Sequence, residues 1–445
     1  MSAKLTPCTI FGAFVAVMFT LWGNATTVVA LNWWLLTFPS TASGPFAVQV
    51  FSGLLYFGCF FVCLIVAAVI WGIKPLMHVT FGTEGGTKPK FRRLWIVALM
   101  GLTDLASNLP VIFATPHVPE ILQAFLETTV TPWALLLTYI FVKGERSKHY
   151  RSPFLLFSLL LTAGGVLTSA IPPKAHISIA GKYTENIPSL VGWIGVYAAT
   201  AIVYGGWCVL QRLYCDGAPI PPTGSRPSSI VAWPGHVQAI EEQTAKSGEV
   251  DDEERLSLLV QRAGAMNGKE KWIPYAGLNK LVMLFGDTLF QLLFTFAFLP
   301  LDALPWFGTS PNIQSTWSRF TAGMECIATC PGSLKYCLLY SFGYVVSYIG
   351  SAYLNHVSPT LSSMFIELSA PSCAVLLLIV PSWNVAAGSG SVLWYQQSAA
   401  AVMISAATVL YYLWERKEEE REALEARMEE RVESTVQDVA NPATL

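Results

Sequence analysis

The chain has 445 residues, of which 53% are hydrophobic and 13% are charged, and its formal net charge is −2. Soluble domains carry about 25% charged residues. The composition therefore excludes an ordinary water-soluble fold, and the near-neutral charge gives no reason to expect a nucleic-acid partner. The chain is predicted to be an all-α polytopic protein with the lipid bilayer as its main surroundings.

Ten segments are long and apolar enough to cross the bilayer, which takes about 20 residues per helix. These predicted helices cover residues 9–31, 46–72, 94–114, 120–142, 153–171, 190–210, 277–299, 334–354, 359–380 and 392–413.

Basic residues predict the orientation of these helices. The loops after the second and fourth helices hold nine of them: Lys74, Lys88, Lys90, Arg92, Arg93, Lys143, Arg146, Lys148 and Arg151. Cytoplasmic loops retain Lys and Arg. An even number of helices then places both termini in the cytosol.

Two polar segments lie outside the predicted helices. Residues 211–272 contain several prolines and an acidic run, and are predicted to form a disordered cytosolic insert. The tail at 415–445 alternates acids and bases around a thin apolar line. It is predicted to be either a solvated helix or a coiled coil that binds a partner.

The insert also contains a candidate sorting signal. Glu254 precedes the pair Leu258 and Leu259 by the spacing of an acidic dileucine motif. Sorting adaptors that recognise such motifs direct proteins to endolysosomal membranes. We therefore expect a vacuolar or lysosomal type of membrane.

Cys326 and Cys330 lie in the long non-cytosolic loop predicted at residues 300–333. They either close a disulfide within this loop or remain two free thiols. The sequence contains no CxxC pair of the zinc-site type, and it predicts neither a metal nor a cofactor.

An internal repeat divides the chain into two halves, residues 1–175 and 176–414. In each half a helix is followed by a His-Val turn and a second helix with an intramembrane glutamate and a proline: Glu127 with Pro132, and Glu367 with Pro371. Both prolines are predicted to kink their helices. Transporters are often built from such repeats, with the site between them.

Polar residues recur at helical spacing in the two matching helices. Glu120, Gln123, Glu127 and Thr131 share one face of the fourth helix, and Thr360, Ser363 and Glu367 share one face of the ninth. A charge at mid-bilayer costs about 2.5–3.5 kcal/mol, so such groups usually face a wet cavity. The alternative is a structural hydrogen bond to a neighbouring helix.

The remaining acids within helices are Asp104 and Asp287, for which cavity lining and structural bonding are equally expected. Few basic residues lie at similar depth. A cavity with this charge balance should bind cations and protons.

Several local patterns resemble the chloroquine resistance transporter-like family of the drug/metabolite transporter superfamily. They are Asp104, Gln123, Phe125 and Pro132, residues 358–371, and the charged exit from Glu415 to Lys417. The resemblance implies ten helices in two pseudo-symmetric halves around a central cavity. It also implies transport of amino acids, small peptides or cationic drugs, often out of an acidic compartment.

Membrane enzymes fit the sequence less well. Asp287 follows Gly286, but Leu284 stands where the GxGD motif of intramembrane aspartyl proteases has glycine, and the sequence has no Tyr-Asp pair. It contains neither HExxH nor GxSxG. We therefore expect a secondary transporter and no enzyme, with a receptor or scaffold and a glutathione or thiol-type metabolite carrier as alternatives.

Overall fold

The structure, a computed structural model, describes residues 7–81, 91–118, 120–142, 150–170, 187–216, 275–305, 307–357 and 394–440. Between 358 and 393 it describes residues 362, 363, 365, 366, 368, 369, 371–373, 377, 380 and 383. The sorting motif at Glu254, Leu258 and Leu259 lies outside these ranges, as does Glu367. Their predictions therefore stay predictions.

The described elements are helical, with no β-strand among them. They are α1 (Pro7–Leu36), α2 (Gly44–Trp71), α3 (Ile73–Phe81), α4 (Phe91–Ala114), α5 (Glu120–Glu127), α6 (Val130–Phe141), α7 (Pro153–Ala170), α8 (Ile187–Asp216), α9 (Tyr275–Phe298), α10 (Ile313–Thr329), α11 (Ser333–Val357) and α12 (Trp394–Ala440). Two 3-10 turns, Thr115–His117 and Leu299–Ala303, follow α4 and α9.

Eight spans in the described part are long and apolar enough to cross a membrane. They confirm an all-α chain of the multi-pass membrane type. Their bounds correspond to the predicted segments, except that the fifth segment forms a shorter apolar helix, Pro153–Thr168, and the ninth is described only in part.

The predicted fourth helix is interrupted between α5 and α6. Thr128 and Thr129 turn their hydroxyls back to the carbonyls of Phe125 and Leu126 at 2.6 and 2.7 Å. Pro132, in the first turn of α6, has no N–H to donate to the Thr128 carbonyl. These residues together explain why one apolar segment forms two helices.

Three elements differ from the sequence predictions. The amphipathic α3 and α10 form in segments predicted as loops.

Helix α8 continues to Asp216, so Gln211 belongs to the bundle and not to the polar insert. Gln211 is buried and accepts a hydrogen bond from Asn355 at 2.7 Å. A membrane helix tolerates a glutamine that is hydrogen-bonded to a neighbouring helix. The sequence prediction assigned Gln211 to the insert because the residues after it are polar.

The charged tail is a continuation of α12, which runs without interruption to Ala440. Two ion pairs between its alternating bases and acids form on it, Arg416 with Glu420 and Arg421 with Glu425, at 3.1 and 2.6 Å. Leu424 and Met428 of the apolar line are exposed.

The Cys326 and Cys330 thiols are joined in a disulfide, with their α-carbons 4.7 Å apart. Cys326 is buried in the last turn of α10, and Cys330 is the residue that caps the end of this helix. The bond therefore closes the last turn of this helix.

Helices α1 and α11 pack closely along stripes of small residues. A β-carbon on Gly23 would lie 2.6 Å from the Gly343 carbonyl oxygen and from the Ser347 nitrogen. One on Gly350 would lie 2.5 Å from the Thr20 hydroxyl. Small residues of this kind let the backbones of membrane helices approach each other. This packing fixes the position of α11, which carries Tyr340, Tyr344 and Tyr348.

Replacing Gly23 with alanine should therefore destabilise the bundle by about 1–3 kcal/mol, because the added methyl group meets backbone atoms that cannot rotate away. Thermal melting of the purified protein measures the loss. Gly58→Ala is the matched control, since a β-carbon there has no neighbour within 4 Å. Equal melting temperatures for the two variants would contradict the close packing.

Candidate functional site

A cavity of about 110 Å³ lies in the middle of the bundle, which is enough for several water molecules. We call it the inner cavity. Helices α1, α4, α5, α8 and α11 contribute most of its wall. The lining residues are Asn24, Thr27, Val28, Leu31, Ser107, Asn108, Val111, Gln123, Leu126, Glu127, Val130, Tyr197, Thr200, Ala201, Tyr204, Tyr340, Tyr344, Ser347, Tyr348 and Ile366.

Glu127 is the acidic residue of this wall. It ends α5, immediately before the break at Thr128 and Thr129, so the interruption of the helix places the carboxylate at the cavity. Its Oε1 accepts a hydrogen bond from the Tyr197 hydroxyl at 3.3 Å. Among the described residues no salt bridge reaches Glu127. A carboxylate with one weak donor can bind a cation from the cavity.

Gln123 lies one turn before Glu127 and closes one end of the inner cavity. Its amide exchanges hydrogen bonds with the amide of Asn32, at 3.0 and 3.2 Å. The same Nε2 lies 2.9 Å from the Thr115 carbonyl and 2.6 Å from the Val118 carbonyl. Gln123 thus joins α1, α5 and the turn that follows α4.

Asp104 and Asp287 are fully buried and do not line the inner cavity. They lie behind Tyr348, a lining residue that contacts both of them. Gly101 brings their helices together, because a β-carbon there would lie 2.8 Å from the Asp287 carbonyl oxygen. Asp104 Oδ1 accepts hydrogen bonds from Asn108 at 2.7 Å and from the Tyr344 hydroxyl at 3.0 Å. Asp287 Oδ2 accepts one from the Trp207 indole N–H at 2.9 Å.

The Tyr348 hydroxyl joins the two aspartates. It lies 2.7 Å from Asp104 Oδ2 and 2.6 Å from Asp287 Oδ2. A phenol has one hydrogen and can donate to only one of these oxygens. The second short contact is a hydrogen bond only if the other carboxyl group carries a proton and donates it to the phenol oxygen. The geometry therefore accommodates one proton on the aspartate pair.

Tyr348 also connects this pair to the inner cavity, since it lines the cavity together with Tyr344 and Asn108. Each of the three has a polar atom within hydrogen-bond distance of the Asp104 carboxyl group. A ligand that displaces one of these donors changes the hydrogen bonding of Asp104 without touching it. The arrangement can thus couple occupation of the cavity to the protonation of the pair.

The predicted site residues fall into three groups. Gln123 and Glu127 line the inner cavity, whereas Asp104 and Asp287 lie behind its wall. Ser363 and Pro371 are both buried and have helical backbone. Glu367 lies outside the described residues.

Sequence reasoning missed the aromatic residues of the site. Tyr340, Tyr344 and Tyr348 recur every four residues on α11, which places their rings on one face of the helix. This stripe is visible in the sequence. Trp207 and Asn108 carry no comparable signal, because a single tryptophan or asparagine in a membrane helix has no pattern around it.

The part of the chain that the structure describes holds no group of three or more His, Cys, Asp or Glu side chains arranged to bind a metal ion.

No protein-family model and no curated protein matches the sequence. One solved structure, described only as "Crystal structure of protein", is similar over 90% of this chain and 98% of its own, with 15% identity and a TM-score of 0.41. A likeness at this level carries no argument about function.

Infrared difference spectroscopy tests the shared proton. The wild-type protein at neutral pH should show the carbonyl stretch of a protonated carboxyl group that is missing from both Asp104→Asn and Asp287→Asn, since either remaining carboxylate can accept the Tyr348 hydrogen. Glu127→Gln is the control and should retain this stretch. Spectra of the two aspartate variants that match the wild type in this region would refute the shared proton.

Proposed function

We propose that this protein is a secondary transporter of small organic cations, with Glu127 binding the cationic group and the Asp104–Asp287 pair binding a proton. The observation that carries the proposal is the inner cavity itself. It is lined mainly by α1, α4, α5, α8 and α11 and contains a carboxylate without a basic partner among the described residues.

The rest of the wall suits an ammonium group. Tyr197, Tyr204, Tyr340 and Tyr344 line the cavity around Glu127. The face of a phenol ring attracts a cation, and its hydroxyl oxygen accepts an N–H hydrogen bond. The Glu127 carboxylate would balance the charge of the cation, and the neutral tyrosines would add weaker contacts. This combination binds the cation without preventing its release.

The proton site gives this transporter its coupling. Tyr348 and Tyr344 contact both the cavity and Asp104, so a solute that moves these hydroxyls alters the donors available to the aspartate pair. A change of this kind links the proton affinity of the pair to the presence of the solute. Protons moving down their gradient could then drive the solute.

The resemblance to the chloroquine resistance transporter-like family supports the remaining details of the proposal. We propose amino acids, peptides or cationic drugs as solutes, an acidic vacuolar or lysosomal lumen as their source, and cytosolic termini.

Replacing both Leu258 and Leu259 with alanine should send a tagged protein to the cell surface, because sorting adaptors would no longer recognise the motif. The localisation of the tagged protein in cells measures this effect. Unchanged localisation of the variant would remove the sorting proposal.

A receptor or scaffold would not need a cavity with a buried acid. In a carrier of anionic thiols, Glu127 would repel the solute. Either function would nevertheless leave the fold unchanged. Uptake of a small cation into proteoliposomes separates them from the proposed transporter.

Glu127→Gln should weaken the binding of lysine to the purified protein at least tenfold, because the substitution removes the cavity carboxylate and keeps its size. Isothermal titration calorimetry measures the affinity. Glu325→Gln is the matched control, as Glu325 lies on α10 away from the cavity. If lysine binds the Glu127 variant as tightly as the wild type, or binds neither, the assignment of Glu127 is wrong.

A further inference from the structure

A second cavity, of about 430 Å³, lies beyond Gln123. We call it the outer cavity. Its volume is within the range of roughly 300–1,000 Å³ typical of small-molecule sites. The lining residues are Leu35, Phe38, Pro39, Ala42, Gly44, Pro45, Phe113, Pro116, His117, Trp193, Pro305, Phe307, Gly308 and Thr309.

The two cavities follow each other along the same helices. On α1 the inner cavity is lined by Leu31 and the outer cavity by Leu35, one turn later. On α8 they are lined by Tyr197 and Trp193, again one turn apart. The outer cavity therefore lies at the end of the bundle where α1 and α4 end and α8 begins.

The Asn32–Gln123 amide pair stands between them. Gln123 lines the inner cavity, while its amide hydrogen bonds end on Thr115 and Val118, which flank the outer-cavity residues Pro116 and His117. Asn32 lies between Leu31 and Leu35 in the sequence of α1. This amide pair therefore connects the wall of the inner cavity to the turn that lines the outer cavity.

Aromatic rings dominate the chemistry of the outer cavity. His117 stacks on Trp193 with ring centroids 4.4 Å apart and an interplanar angle of 5°. Phe113 and Phe307 are also 4.4 Å apart, and Trp193 lies 6.3 Å from Phe307. Four prolines add flat apolar surface. Rings of this kind offer their faces and edges to another ring.

We propose that the outer cavity is a binding site for a flat aromatic ring, separate from the cation site at Glu127. A charge on the ligand is not required there, because no carboxylate is among the described residues that line the outer cavity. Binding of the ring is independent of the proposed function. A role of this site in transport rests on that function. In that role, the site binds the aromatic part of a solute before the Asn32–Gln123 pair separates.

The probe is 5-fluoroindole, a neutral ring that has no cationic group for Glu127. Fluorine NMR of the full chain in lipid nanodiscs, compared with empty nanodiscs, should show saturable binding. Trp193→Leu and Phe307→Leu should each weaken it at least tenfold. Phe296→Leu is the control, since Phe296 is 44% exposed and lies outside the cavity wall.

Glu127→Gln separates the failure of this proposal from that of the proposed function. It should leave the affinity for 5-fluoroindole unchanged even though it weakens the binding of lysine at least tenfold. Loss of both ligands in this variant would show that the ring binds in the inner cavity and would overturn the separate site. Non-saturable binding, or equal affinity in all three ring variants, would show partitioning into lipid and overturn it as well.

Photolabelling of the wild type does not depend on the folding of any variant. 5-Azidoindole should attach within residues 35–45, 113–117, 193 or 305–309, and excess indole should prevent the attachment. Labelling confined to other peptides would contradict the site.

Discussion

A carboxyl group inside an apolar helical bundle must find hydrogen-bond donors there, because no water in the surrounding hydrocarbon can replace them. This constraint organises the centre of the protein. Asp104 and Asp287 are fully buried, and their donors come from three other side chains of the wall and from Trp207. Tyr348 serves both acids at once, so their hydrogen bonding cannot be changed independently.

The close packing of helices makes this arrangement feasible. Gly101 lets α4 approach α9 until the two aspartates reach the same phenol, and the small residues of α1 hold α11 where its tyrosines face both the acids and the inner cavity. The break after Glu127 has a different role. It ends α5 at the cavity, so that a carboxylate in the middle of an apolar segment points to polar space and not to lipid.

The sequence predicted much of this from polarity alone. Asp104, Gln123, Glu127 and Asp287 stand out because each is expensive in a membrane helix. Nothing local indicates which of them share a partner, since Tyr348 reaches Asp104 across 244 positions of the chain. Hydropathy likewise predicted the long helices but not the break at Thr128, which depends on hydroxyl groups returning to their own backbone.

The same limitation explains the error at Gln211. A polar residue at the end of an apolar segment is ordinarily assigned to the following loop, and only the position of Asn355 shows that the Gln211 amide oxygen accepts a hydrogen bond inside the bundle. The amphipathic α10 was hidden for a related reason. Its apolar face is too narrow for a membrane span, and it becomes recognisable only where Phe320 and Ile327 are buried against neighbouring helices.

Transport by the purified protein is the most direct test of the account. Proteoliposomes in an acidic external buffer should take up radiolabelled lysine faster than empty liposomes, and a protonophore that collapses the pH gradient should slow this uptake. Uptake that equals that of empty liposomes would contradict the account.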